Sequence, residues 1–228
     1  MIFELPSDGA NNIGVDNCVF CSIVSGNAEA SWEASPSSDS HVACFHNRLK
    51  WVRVMLLVIP TQHMTQRELW TSDVLDEAAE MAVDMGDQHC GSEGYRIISN
   101  FGLQAHQSVS HAHLHVISEM SRLIKKGIAT SALNVNSAFS VDEFEIDEIP
   151  FTARVSPAES RSQRDMWKSS QIIEAVGTAL EVARRHSANG FRLMSNFYMA
   201  TQSTEAGSND AGLFLLGGGQ LGLYGDSY

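Results

Sequence analysis

The chain of 228 residues carries 43% hydrophobic and only 18% charged residues, enough for a packed core and too apolar for a disordered chain. Its 15 Lys and Arg residues stand against 27 Asp and Glu residues, and the formal net charge of −12 argues against broad binding to nucleic acid or to an anionic membrane. No apolar run approaches the ~20 residues that span a bilayer, and the first residues lack the pattern of a signal peptide. We therefore expect a cytoplasmic protein.

The first predicted elements surround a cysteine pair. Cys18 and Cys21 form a Cys-x-x-Cys motif, which favours metal or redox chemistry over a disulfide framework in an intracellular chain. A β-rich run, VRVMLLVIP, ends at Pro60 and predicts a strand. A helix is predicted next, with Ser72 as its N-cap and apolar residues at helical spacing over residues 74–85.

Two strand-like segments follow this helix. YRIISNF has the composition of a buried strand, and HAHLHVI alternates so that His111, His113 and His115 share one face. Neighbouring imidazoles would then lie about 6.8 Å apart, and they are poor core material because each has two polar nitrogens to satisfy. The residues alone leave three interpretations open: a three-histidine metal site, a histidine nucleophile flanked by histidine donors, or a chance cluster on a solvated strand.

The second half predicts the same order of elements. The segment VDEFEIDEI, residues 141–149, carries five acidic residues in nine and predicts the solvated face of an edge strand. Apolar residues at helical spacing over residues 172–183 predict a second helix, which ends before Gly190. The segment FRLMSNF after it resembles YRIISNF and predicts another buried strand.

Three blocks of the first half recur in the same order in the second: residues 65–72 as 162–169, 94–101 as 190–197, and 111–118 as 210–217. We predict a tandem duplication, with units at residues 1–122 and 123–228. In this alignment Gly212 stands opposite His113 and Phe214 opposite His115. The second unit thus keeps the pattern of the scaffold and lacks every candidate ligand and nucleophile.

Several motifs of the first half resemble those of the histidine triad (HIT) superfamily. QSVSHAHLHVI is similar to its signature, His-φ-His-φ-His-φ-φ with φ apolar, preceded by Gln-x-Val-x. CVFCSIVSG, CFHNRLKWVRVMLLVIPTQHM and GYRIISNFG resemble further segments of the family, and together the motifs cover about residues 15–120. The resemblance implies an α+β fold with an antiparallel sheet and helices. The two repeats would then form an intramolecular pseudo-dimer, and further homodimerisation stays open.

The resemblance also implies a reaction. Such a protein would be a nucleotide hydrolase that cleaves a nucleoside monophosphate from a phosphoramidate, phosphoanhydride or similar conjugate through a nucleotidyl-histidine on His113. It implies His115 and Ser108 as further catalytic residues and the following substrate-binding set: Asn47, Asn100, Gln107, Ser108 and His115. His115 stands where the uridylyltransferase branch has glutamine, which favours a hydrolase over a nucleotidyl transferase or phosphorylase of the same fold.

A structural zinc ion is implied as well, held by two cysteines and two histidines: Cys18, Cys21, His63 and His111. These residue types suit tetrahedral Zn²⁺, and all four are missing from the second copy. The chain departs from the family pattern at Asn47 in place of a ribose-binding aspartate, at Met55 in place of a histidine, and at His106 in place of a glycine. Three alternatives remain: the nucleotidyl transferase or phosphorylase of the same fold, a non-catalytic nucleotide-binding protein, and a metalloenzyme with its metal on His113 and His115.

Overall fold

The computed structural model describes residues 17–118, 129–134, 138–146, 149–159, 161–187, 189–197 and 211–222. The helices are α1 (Val19–Val24), α2 (Gln66–Trp70), α3 (Val74–Cys90), α4 (Gln163–Trp167) and α5 (Gln171–His186). The strands are β1 (Trp32–Ala34), β2 (Val42–His46), β3 (Met55–Pro60), β4 (Tyr95–Phe101), β5 (Leu114–Ser118), β6 (Ala129–Asn134), β7 (Phe139–Ile146), β8 (Ile149–Pro157), β9 (Phe191–Phe197) and β10 (Leu213–Gly217). The predicted boundary at residues 122–123 lies outside the described residues. So do Ser160 and Asp210, which stand opposite His63 and His111 in the alignment of the repeats.

The strands form one antiparallel sheet in the order β1-β2-β3-β5-β4-β9-β10-β8-β7-β6. We call the described residues 17–118 the first unit and those from 129 to 222 the second unit. Each unit contributes five strands. From the outer edge to the centre, the order β1-β2-β3-β5-β4 of the first unit corresponds to the order β6-β7-β8-β10-β9 of the second. The predicted α+β class with an antiparallel sheet is confirmed.

The two units join where β4 pairs with β9. Tyr95 lies opposite Phe197, Phe101 opposite Phe191, and the central residues Ile98 and Met194 lie opposite each other. Because equivalent positions pair at the centre, the joint has the self-complementary pattern of a two-fold interface. This arrangement is the one a pseudo-dimer requires, while the duplication itself stays a prediction.

Aromatic side chains reinforce the joint. The rings of Tyr95 and Phe197 stack with centroids 4.6 Å apart, and those of Phe101 and Phe191 stack at 4.3 Å. Without the partner unit, β4 and β9 would each be the unpaired edge of a five-stranded sheet and would expose these rings. The joint therefore buries an edge that neither unit could leave exposed.

The long helices pack on one face of the sheet, as the periodicity predicted. Helix α3 begins at Val74 with Asp73 before it, so the predicted N-cap role of Ser72 is wrong; the Ser72 hydroxyl instead donates to the Leu69 carbonyl at 3.0 Å, at the end of α2. Helix α2 is not among the predicted elements, although the sequence carries its signal. Thr65 and Glu68 form a capping box, in which the Glu68 carboxylate accepts from the Thr65 amide at 2.7 Å.

The acidic segment was assigned to the wrong place in the sheet. Strand β7 pairs with β8 on one side and with β6 on the other, so it is not an edge strand. One of its acidic residues, Asp142, lies opposite Arg154 of β8, which gives part of its negative charge a cross-strand neighbour. Among the described residues, no helix is long and apolar enough to cross a membrane.

Candidate active site and metal centre

The triad lies on the face of the sheet opposite the long helices. Leu114 and Val116 of β5 enter the core beneath α3, so the alternating His113 and His115 emerge on the other face. Helix α1 covers part of that face, where Phe20 meets the ring of His113 edge-on at 5.5 Å. All three triad histidines are buried.

Four predicted metal ligands converge from three separate segments. The Cys21 thiol lies 3.3 Å from His63 Nδ1 and 3.5 Å from His111 Nδ1, and the Cys18 thiol lies 3.5 Å from His111 Nδ1. All four ligand atoms lie within 4.8 Å of one another. The structure thus brings together Cys18, Cys21, His63 and His111, from the start of α1, the end of β3 and the approach to β5.

The donor geometry fits a tetrahedral metal. With bonds of the usual Zn–S and Zn–N lengths, a sulfur and a nitrogen ligand stand ~3.5 Å apart, which matches the distances between these donors. His111 Nε2 donates to the Pro60 carbonyl at 2.9 Å, so Nδ1 carries the lone pair that faces the thiols. Burial lowers the pKa of His111 to about 4, which keeps this imidazole neutral, as a metal ligand must be.

His113 is oriented by its own strand. Its Nδ1 donates to the His111 carbonyl at 2.8 Å, which fixes the tautomer and leaves Nε2 with the lone pair. Burial lowers the pKa of His113 below its ordinary value. The side chain is therefore a neutral imidazole at pH 7 and can act as a nucleophile through Nε2. It also lies outside the group of candidate metal ligands in the described residues, which includes only His111 of the triad.

The main chain around His113 is held by a buried glutamine. Gln66 accepts from the His113 amide at 2.9 Å and donates to its carbonyl at 2.8 Å. Gln66 also donates to the Ser99 hydroxyl, which Trp70 Nε1 contacts at 2.9 Å. In the sequence, Gln66, Trp70 and Ser99 are only identities between the repeats, and that signal does not reveal this positioning role.

The phosphate side of the predicted site contains His115 and Asn100. The rings of His113 and His115 lie 4.8 Å apart, edge to face. Burial, His113 and the charge of Arg192 together lower the pKa of His115 well below its ordinary value. The side-chain oxygen of Asn100 accepts from Arg192 Nε at 2.8 Å, a contact between the two units that the sequence did not indicate.

Three other predicted substrate-binding residues lie in loops. Gln107 spans its own loop: its oxygen accepts from the Gly102 amide at 2.8 Å and its nitrogen donates to the Val109 carbonyl at 3.1 Å. Ser108 is exposed beside it. The Asn47 oxygen accepts from the Leu49 amide at 3.0 Å, which shapes the β2–β3 loop. Their roles toward a substrate stay predictions.

The two remaining departures from the family pattern have structural explanations. His106 adopts the left-handed conformation with φ of 61°, which costs more free energy for a residue with a side chain than for glycine. Its Nε2 donates to the Leu221 carbonyl at 2.5 Å. The Leu221 amide in turn donates to the Gln104 carbonyl at 2.8 Å. A segment of the second unit is thereby attached to the first unit's loop that contains His106 and Gln107. Met55 is buried in an apolar cluster that includes Leu221.

The second unit repeats the scaffold with other occupants. Gln163 accepts from the Gly212 amide at 2.8 Å, and Trp167 Nε1 donates to the Ser195 hydroxyl at 3.0 Å. A Cβ atom at Gly212 would lie 2.3 Å from Arg154 Nε. The side chain of Arg154 therefore occupies the space that a residue equivalent to His113 would need.

Part of the chain matches a known domain family. Residues 37–122 match the model of the HIT domain. Over these residues the chain is similar to the histidine triad superfamily. It is 30% identical over 82 residues to an uncharacterized HIT-like protein of Chlamydia muridarum, in a match that covers 35% of this chain and 65% of that protein. The chain thus spans slightly less than two thirds of this HIT relative.

Two further similar proteins differ in how much of the chain they match. An uncharacterized HIT-like protein of Methanocaldococcus jannaschii is 29% identical over 103 residues, which cover 44% of this chain and 77% of that protein. The crystal structure of a GalT-like protein from Arabidopsis thaliana matches 91% of this chain and 83% of its own, with a TM-score of 0.59 and 13% identity. At that identity the likeness shows the fold alone, and it extends over both units.

Proposed function

We propose that the protein is a nucleotide hydrolase of the HIT type that releases a nucleoside monophosphate from a phosphoramidate, phosphoanhydride or similar conjugate. The hydrogen bond from His113 Nδ1 to the His111 carbonyl, at 2.8 Å, carries the proposal. It fixes Nε2 as the free lone pair of a buried, neutral imidazole, the form that attacks phosphorus. The match of residues 37–122 to the HIT domain supports a hydrolase or transferase acting on nucleotides.

The reaction proceeds in two displacements. His113 Nε2 attacks the α-phosphorus, a nitrogen–phosphorus bond forms, and the leaving group departs with the electron pair of its own bond to phosphorus. Water then attacks the same phosphorus, the nitrogen–phosphorus bond breaks, and the nucleoside monophosphate leaves with His113 restored. His115, Asn100 and Ser108 supply hydrogen-bond donors to the phosphoryl oxygens, where charge accumulates in both transition states.

We further propose that the four-residue cluster holds a structural zinc ion. The ligand set is two thiolates and two neutral imidazoles, and its spacing of 3.3–3.5 Å between sulfur and nitrogen suits a tetrahedral site. A bound metal would supply cross-linking, because it would tie the start of α1 and the end of β3 to the triad strand. With four protein ligands no position is left for a substrate or a water molecule, so the metal has no part in the displacement.

The proposed reaction is tested by measuring nucleoside monophosphate release with a nucleoside phosphoramidate, a dinucleoside polyphosphate and a nucleotide sugar. Wild type is compared with His113→Ala and with His186→Ala, whose ring stacks on Phe151 in the second unit and serves as the matched histidine control. We expect turnover in wild type and His186→Ala and a loss of at least ~10³-fold in His113→Ala.

Other outcomes separate the alternatives. Equal rates in wild type and His113→Ala would overturn the nucleophile. Turnover that requires an added acceptor such as inorganic phosphate would favour the nucleotidyl transferase or phosphorylase. Binding of a nucleoside monophosphate without turnover on the whole panel would favour the non-catalytic nucleotide-binding protein.

A further inference from the structure

A fully buried arginine of the second unit reaches the candidate site of the first. Arg192 lies on β9 directly opposite Asn100 of β4 and is only 1% exposed. Its Nε donates to Asn100 Oδ1 at 2.8 Å, and its terminal NH2 group donates to the Gly222 carbonyl at 3.0 Å. Burying a guanidinium costs considerable free energy unless its N–H groups find hydrogen-bond acceptors. The Asn100 oxygen and the Gly222 carbonyl are such acceptors, and they fix the orientation of the Arg192 side chain.

We propose that Arg192 is a positioning residue of the active site, through which the second unit orients Asn100 for the chemistry of the first. The inference rests on the proposed function and deepens it. A guanidinium can only donate, so the amide of Asn100 must turn its oxygen toward Arg192. Its NH2 group, the donor end, is thereby directed to the other side. Phosphoryl oxygens only accept hydrogen bonds, so this is the orientation that a phosphate-binding asparagine needs.

The charge of Arg192 acts in the same direction. Burial lowers the pKa of His115 most, and His113 and the positive charge of Arg192 lower it further. A fixed positive charge in a buried site attracts the anionic phosphoryl group more strongly than the same charge would in water. The second unit thus assists the reaction without a nucleophile of its own.

The chain contains a matched control for this arginine. Arg96 occupies the position on β4 that Arg192 occupies on β9, is 4% exposed, and lies opposite Asn196 as Arg192 lies opposite Asn100. Arg96 thus faces the strand of the second unit, in which Gly212 stands at the position of His113. Both arginines are buried in the joint, and Arg192 is the one that donates a hydrogen bond to a residue of the candidate site.

The experiment compares kcat and KM of wild type, Arg192→Met and Arg96→Met on the substrate found with the panel above, with the midpoint of thermal unfolding for each. We expect kcat to fall ~100-fold in Arg192→Met, the loss typical of a misplaced phosphate or oxyanion donor. Arg96→Met should keep kcat near wild type. Arg192→Lys, which keeps the charge and loses the planar donor, should give an intermediate kcat, and it replaces Arg192→Met if the latter does not fold.

A double-mutant cycle with Asn100→Ala tests whether Arg192 acts through Asn100. If it does, Arg192→Met adds much less to the loss in the Asn100→Ala background than in wild type. Equal losses in Arg192→Met and Arg96→Met, or full additivity with Asn100→Ala, would overturn the proposal and leave Arg192 a structural residue of the joint.

A second measurement separates this proposal from the proposed function. If wild type has no turnover that depends on His113, the reaction is wrong, and the same variants are then compared by calorimetric binding of AMP, GMP and UMP. Weaker binding in Arg192→Met alone still supports the positioning role. Equal affinities in the two arginine variants, or no binding by wild type, overturn it.

Discussion

In each unit a glutamine, a tryptophan and a serine surround the strand segment that, in the first unit, carries the nucleophile. Gln66 bonds the main chain of His113 in the first unit, and Gln163 bonds that of Gly212 in the second. The tryptophan donates to the serine hydroxyl in both, at 2.9 and 3.0 Å. The set persists where no nucleophile exists, so its first task is architectural: it satisfies main-chain groups where the strand leaves the regular ladder.

The units differ in what occupies the space beside that strand. The first unit holds an imidazole there, while the second holds the side chain of Arg154, which also lies over the ring of Phe214 at 5.7 Å. An arginine on an aromatic ring fills the volume and has no nucleophilic nitrogen. The second unit therefore retains a packed structure at this point and has lost the chemistry. The comparison separates what holds the site from what reacts in it.

The largest expected effect comes from removing the proposed metal. Among the described residues the candidate ligands all lie in the first unit, so the metal distinguishes this unit from the second. We expect about one zinc ion per chain, and its loss in Cys21→Ser should cost ~5 kcal/mol and lower the midpoint of thermal unfolding by more than ~10 °C. Metal analysis and calorimetry measure both quantities. A chelator added to wild type should produce the same shift.

Cys90→Ala is the control for this prediction. Cys90 is a buried cysteine at the end of α3, outside the metal cluster, so its replacement should leave the zinc content unchanged. Equal zinc content in Cys21→Ser and Cys90→Ala would contradict the assignment of the ligands. Loss of zinc with an unchanged unfolding midpoint would contradict the bracing role.

The shared glutamines give the next largest effect. Gln66→Leu leaves the His113 amide and carbonyl without their side-chain partner and should cost ~2–3 kcal/mol, and kcat should fall ~100-fold because the imidazole loses its position. Gln163→Leu should cost about 1–2 kcal/mol and leave kcat near wild type, since it releases only the amide of Gly212. Denaturant unfolding and steady-state kinetics on both variants provide the measurements. Comparable losses of activity in the two would mean that this set acts through global stability rather than through His113.

Short-range patterns explain what the sequence could predict. The three histidines share one strand, so their common face follows from alternation, and the cluster of Cys18 and Cys21 with two histidines followed from the family motifs. The contact between Arg192 and Asn100 depends on the register of two strands 92 residues apart, which no single pattern encodes. The position of β7 was predicted wrongly because β6, its outer neighbour, had not been recognised. The capping box of Thr65 and Glu68 did encode α2, and its omission was avoidable.

The smallest expected effect concerns Arg154, whose side chain fills the space beside Gly212 in the second unit. Gly212→Ala places a Cβ atom 2.3 Å from Arg154 Nε, so the arginine must move, at a cost of ~1–2 kcal/mol. The equivalent residue of the first unit is Leu57, which lies opposite His115 as Arg154 lies opposite Phe214. In the Arg154→Leu background, Gly212→Ala should therefore cost less than half as much. Chemical denaturation of the four proteins gives this coupling energy. Additive costs would mean that Arg154 does not fill the position of the missing imidazole, and the second unit would then have lost its nucleophile without replacing its volume. Because the contacts of both residues described here lie in the second unit, kcat should stay unchanged throughout. A change in kcat would show that the two units are coupled through more than Arg192.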